Sequence, residues 1–121
     1  MNNNLVSRIG AAIYGLVMIA FSINHLKSGS AMAGWVPSFF PAHTFFVYLT
    51  GAGLLLAGIA IAINVKSRLA AYLLAGMLLI IVLTVHLPPV VNGSDDGTHY
   101  AHLLKDLALT GAALFIGSKG K

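Results

Sequence analysis

Four apolar runs, each about as long as a bilayer is thick, leave this chain few folds to choose from. A helix crossing about 30 Å of hydrocarbon needs roughly 20 mostly apolar residues. Leu5 to Leu26, Thr44 to Asn64, Leu69 to Leu87 and Tyr100 to Gly117 all come close to that length, and the second and third carry no Lys, Arg, Asp or Glu. The expectation is an all-α membrane protein, a bundle of four transmembrane helices forming one domain over residues 1–121. Composition agrees: 58% of the residues are hydrophobic and 8% charged, where soluble domains carry about 25% charged residues. Arg8 ahead of the first run and SGSAMAG after it resemble a secretory signal, but the run is too long for a typical signal core and is expected to stay.

Charge then sets orientation. Arg8, Lys66, Arg68, Lys119 and Lys121 fall on one side of the spans, against Lys27 alone in the opposite loops. Positive residues in short loops mark the cytoplasmic side, so both termini are expected there, in a bacterial inner membrane. The cations are scattered singly, without the patch and interleaved aromatics that nucleic-acid binding needs, so no nucleic-acid partner is expected. The chain has no cysteine, which excludes disulfides, thiol relays and thiolate metal ligands. Ser22, Ser28 and Ser30 lack the strained elbow of a serine nucleophile, and no residue is singled out as catalytic. The tripeptide NGS at Asn92 would be a glycosylation acceptor only in a eukaryotic host.

With that orientation His25, His43, His86, His99 and His102 all lie toward the outer face, as do Trp35, Phe39, Phe40, Asp95 and Asp96. His43 and His99 have a plain reading as polar residues tolerated at span ends. Helical spacing separates the others. On the first span Ala11, Gly15, Met18, Ser22 and His25 form one stripe, and small residues mark close helix approach in membranes. On the third span Tyr72, Gly76, Leu79, Leu83 and His86 form a comparable stripe. On the fourth, His99, His102 and Asp106 share a face that continues through Thr110, Ala113 and Gly117, with Lys105 in reach of His102. Ionisable groups inside a span usually face a bundle interior and pair there. His25, His86, His102, Lys105 and Asp106 are therefore the candidate binding residues, converging on one outward-opening pocket.

The chain also echoes itself. LTGA begins at Leu49 and again at Leu109, and His-Leu pairs at His25 and His86 precede them by 24 and 23 residues. This reads as two copies of one helical hairpin in parallel orientation. Between spans one and two, Lys27 to Ala42 holds Trp35, Val36, Phe39 and Phe40 together with Pro37 and Pro41, which would break any long helix, and reads as an interfacial segment that would serve as a lid or as a surface for a partner.

The segments RIGAAIYGLVMIAFSINHL, MAGWVPSFFP and KDLALTGAALFIG, with the glycine-rich second span, together resemble the DoxX family of small four-span membrane proteins. The resemblance covers nearly the whole chain and implies a four-helix membrane bundle, with His25, Pro37, Lys105 and Asp106 at matching positions. Some members are membrane subunits of thiosulfate:quinone oxidoreductases or of other redox complexes, and more distant relatives help assemble other membrane proteins. This chain departs from thiol-linked members in having no cysteine.

Two function classes follow: a scaffold or assembly factor gripping a protein partner in the membrane, and a quinone-linked redox subunit. A quinone needs a donor at each carbonyl and a protonatable neighbour, which imidazoles and Asp106 would supply. No GxGxxG is present, so a flavin or nicotinamide would sit on a partner. The alternative is zinc or copper on the outer histidines with Asp106, or haem between His25 and His86. A homo-oligomer is equally compatible with the pattern.

Overall fold

The computed structural model describes residues 3–27, 43–94 and 96–120. Among them every regular element is helical: α1 (Asn3–Lys27), α2 (His43–Ile63), α3 (Ser67–Ile81), a π-helical turn (Val82–His86), α4 (Leu87–Val91) and α5 (Thr98–Lys119). The proposed lid, residues 28–42 with Trp35, Pro37, Phe39, Phe40 and Pro41, lies outside the described residues, as do Asp95 and the side chain of His43.

Three stretches, Asn4–Lys27, Phe45–Ile63 and Ser67–Val91, are long and apolar enough to cross a membrane, and the chain is membrane-integral. α5 has a similar length at 22 residues but, with His99, His102, Lys105 and Asp106 along it, is less apolar and is not among these three. Leu16, Leu56, Leu73 and Phe115, from α1, α2, α3 and α5, are each more than half exposed. So much exposed apolar surface is untenable in water and ordinary against lipid tails.

α1 packs most extensively on α2, α3 on α5, and α2 joins the two hairpins through α3. The core between them holds Met18, Ile61, Leu74, Leu78 and Ala71. α1 and α5 meet chiefly through side chains, with the Tyr14 hydroxyl donating to Leu109 O at 2.7 Å. The stripe expected on α1 is the observed one: Ala11, Gly15, Met18 and Ser22 are buried and His25 is half-buried. Gly15 is there because nothing larger fits, since a Cβ on it would lie 2.5 Å from Gly58 O of α2.

The turn from α2 to α3 is closed by backbone chemistry. Val65 N–H reaches Ala60 O at 3.1 Å and Asn64 N–H reaches Ile61 O at 3.3 Å, the paired bonds that finish a helix on a left-handed residue. Asn64 takes that conformation at φ 59°, and its side-chain oxygen accepts the Ser67 hydroxyl at 2.6 Å.

The third span corrects two expectations. Its inward stripe is Ser67, Ala71, Leu74, Ala75, Leu78 and Val82, while Tyr72, Gly76, Leu79 and Leu83 are exposed. The helix also runs past Leu87 through Pro88 and Pro89 to Val91. The extension follows from a change of helical register. At the π-turn Leu87 N–H bonds to Val82 O, five residues back, and the wider turn restarts the hydrogen-bond register. The prolines then occupy a first turn, where a missing N–H leaves nothing unsatisfied.

Candidate functional site

The π-turn also decides where His86 points. In an uninterrupted helix at about 100° per residue, His86 would sit roughly 60° off the line of Ala71 and Val82, at the edge of the buried face. The under-wound turn brings it inward, and His86 is only 4% exposed. Opposite it, α5 starts at Gly97, whose φ of 107° turns the chain into the helix, and Asp96 accepts the Thr98 N–H at 3.0 Å. Backbone and hydroxyl hydrogen bonds from Thr98 hold the Asp96 carboxyl below the usual carboxylate range. From there α5 carries His99, His102 and Asp106 down one face toward His86.

The contacts form one chain of polar atoms. His99 Nδ1 lies 2.9 Å from His86 Nδ1. His86 Nε2 lies 3.5 Å from Asp106 Oδ2, and Lys105 Nζ lies 3.4 Å from Asp106 Oδ1. Lys105 Nζ also lies 3.1 Å from His102 Nδ1, and the His102 ring stacks on that of His86 at 5.1 Å between centroids and 12° between planes. Asp106, at 5% exposed, is thus paired to a cation on its own helix and to an imidazole on the facing one. An unpaired carboxylate there would be prohibitively desolvated.

Proton positions follow from these partners. If Asp106 is ionised and the His86 Nε2–H faces it, Nδ1 of a neutral His86 is the acceptor for the Nδ1–H of His99. Two nitrogens 2.9 Å apart hold one proton between them, not two. The Lys105 ammonium donates to His102 Nδ1 and lies 4.6 Å from the centroid of the Phe21 ring of α1. Lys105 therefore does not reach straight for the interface; its side chain is 38% exposed and tied to three neighbours.

These residues close one end of a cavity of about 340 Å³ between α1, α2, the third span and α5. His25, His86, His102, Lys105 and Asp106 all line it, and the remaining wall is largely apolar, from Met18, Val47, Leu54, Leu78 and Leu109. All five candidate residues therefore meet at one site. His25 stands somewhat apart from the network, with its Nδ1 on Phe21 O of its own helix at 2.9 Å. Asp106 pairs with His86 and Lys105 rather than with His102 one turn above.

Sequence spacing missed two residues. His99, given only a span-end role, is the partner of His86; its place on the face of His102 and Asp106 was the available signal. Tyr14, which ties α1 to α5 below the cavity, carried no signal beyond being a polar aromatic within a span. Among the described residues no group of three histidine and carboxylate side chains is arranged to hold a metal ion.

The DoxX family model matches residues 5–87. That segment takes in α1, α2, α3 and the π-turn, with His25 and His86, and stops before α5, so Lys105 and Asp106 stand outside it. No curated protein matches the chain, and no solved structure does. With well over half of its length in that match, the chain belongs to the DoxX family.

Proposed function

We propose that this protein is an accessory subunit of a larger membrane complex whose outer-end cavity binds the head group of a quinone. The observation that carries the reading is the union of an apolar cavity of about 340 Å³ with a network of paired polar side chains. Sites for drug-sized ligands are of this kind, a few hundred Å³ of apolar wall with a small number of placed polar groups. The Lys105 ammonium and the His102 imidazole offer donors to the two carbonyls, and Asp106 with His86 offers a place for a proton. At 3.4 and 3.5 Å the two Asp106 contacts are longer than tight charge-assisted bonds, which leaves scope for a ligand oxygen to engage between them.

The cavity's histidines and the α4–α5 connection share one end of the bundle, and Arg8, Lys66, Arg68 and Lys119 occupy the other. This supports cytoplasmic termini and a cavity toward the outer face. It also supports α5 as the fourth span of a one-domain bundle. At 1.5 Å per residue its 22 residues reach about 33 Å, and its central charges pair within the bundle instead of facing lipid. The chain has no cysteine and no GxGxxG, so electrons for a bound quinone would come from a partner protein.

Binding tests this. Protein in nanodiscs should retain a radiolabelled short-chain quinone above empty discs, and Asp106→Asn or His86→Leu should each weaken retention by about tenfold, the cost of one charge-assisted hydrogen bond. Retention no greater than in empty discs, or unchanged in both variants, would refute the quinone site.

A further inference from the structure

The seam between α1 and α5 holds a second cavity at its other end. Below the Tyr14–Leu109 bridge lies a space of about 190 Å³, bounded by Arg8 on α1, Asn64 and Ser67 at the α2–α3 turn, and Phe115 and Lys119 on α5. Arg8 is fixed at its wall, because its Nη2 donates to Ala62 O at 2.9 Å, an orphan carbonyl at the end of α2. That bond uses one of five guanidinium N–H groups. Lys119 Nζ sits 5.4 Å from the centroid of the Phe115 ring, at the opposite wall.

Charge balance at this end differs from that of the outer site. The chain has three carboxylate side chains, Asp95, Asp96 and Asp106. Asp106 is committed to His86 and Lys105, and Asp96 caps the outer end of α5. Among the described residues no carboxylate pairs with Arg8 or Lys119. Among the described residues, a half-buried guanidinium and an ammonium thus flank a cavity without a carboxylate to pair them, on a membrane protein whose flanking side chains Leu5, Ile9 and Phe115 are exposed and apolar.

We propose that this cavity binds the phosphate of an anionic phospholipid, with its acyl chains along the apolar flanks of α1 and α5. Guanidinium matches phosphate in geometry, and a basic pocket between membrane helices recruits anionic head groups. The apolar flanks favour a lipid over free phosphate as the source of that group. Lys66 and Arg68, at the same end but outside the cavity wall, contribute only diffuse attraction.

Native mass spectrometry of the protein from micelles holding equal phosphatidylglycerol and phosphatidylcholine reads this directly. One phosphatidylglycerol should be retained in preference to phosphatidylcholine. Arg8→Gln and Lys119→Gln should each cut that retention about fivefold, and Lys66→Gln and Arg68→Gln, with the same charge change, should leave it within about twofold. Lys119 is exposed, so Lys119→Gln keeps the test open if Arg8→Gln fails to fold. No preference for the anionic lipid, or an equal loss in all four variants, overturns the site; displacement by inorganic phosphate overturns the lipid as its source.

Discussion

The two hairpins, α1 with α2 and the third span with α5, are held by different forces. Between α1 and α2 the backbones touch: a Cβ on Gly15 would lie 2.5 Å from Gly58 O, and one on Gly58 would lie 2.7 Å from Gly15 O. Between the third span and α5 the upper half is held by side chains, through His86, His99, His102 and Asp106. The repeated LTGA motif makes the contrast sharper. Gly51 is buried, and a Cβ there would lie 2.9 Å from the His25 Cβ, whereas a Cβ on Gly111 would meet nothing within 4 Å. Thr50 lines the cavity, while Thr110 donates to Asp106 O at 2.7 Å, on the helix bearing the network. Lipid provides no hydrophobic drive between helices, so association relies on close packing or on polar pairing. The first hairpin uses close packing; the second uses polar pairing in its upper half, beside the cavity, and close packing below, where the Tyr72 ring lies against Gly117.

The comparison breaks most visibly at Gly15. Gly15→Ala forces a methyl group against backbone atoms that cannot retract, and should cost about 3 kcal/mol, while Gly111→Ala should stay within about 0.5 kcal/mol of wild type. Reversible unfolding in mixed micelles measures both, and equal effects would mean that the hairpins pack alike. In the second hairpin Asp106→Leu strands His86 and Lys105 and should cost about 2 kcal/mol, with Asp106→Asn milder because it keeps hydrogen-bonding capacity.

His99→Leu should cost less, about 1 kcal/mol for one hydrogen bond, and should leave the first hairpin unaffected. In the intact protein the His86–His99 contact has room for one proton, so acidification that charges both rings should abolish the Nδ1–Nδ1 coupling in ¹⁵N spectra. A contact that persists with both rings doubly protonated would contradict the assigned geometry. The smallest effect belongs to Asp96→Ala. Thr98 holds the Asp96 carboxyl below its ordinary range, so this carboxylate stabilises the folded state above its unfolded value and ceases to as pH falls through the folded one. The variant should therefore differ from wild type at neutral pH and converge with it in acid.

Much of this was legible in the sequence. The span expected over Leu5 to Leu26 is α1, Asn3–Lys27, and that over Thr44 to Asn64 is α2, His43–Ile63. Length and apolarity define such elements, and the bilayer fixes the length. The inward face of the third span was not legible, because lipid and protein interior are equally apolar and hydrophobic periodicity loses its contrast. On α1 the small and polar residues Gly15, Ser22 and His25 restored that contrast; on the third span Tyr72 and Gly76 misled, being exposed. The π-turn left no mark in VLTVH, since a shifted hydrogen-bond register needs no special residue. Without it the prolines read as the end of the span and His99 as a bystander. The five candidate residues nonetheless line one cavity, because an ionisable residue inside a span has few places to go but inward.

The central claim is that the outer cavity between the two hairpins is a quinone site. A photoreactive quinone analogue, activated on protein in nanodiscs and mapped by peptide mass spectrometry, tests it most directly. The account predicts adducts on the segments around Met18 to His25, Val85 and His102 to Leu109, competed by unlabelled quinone and lost in Asp106→Leu. Adducts spread over the lipid-facing residues Leu16, Leu56 and Leu73, insensitive to competitor, would contradict it.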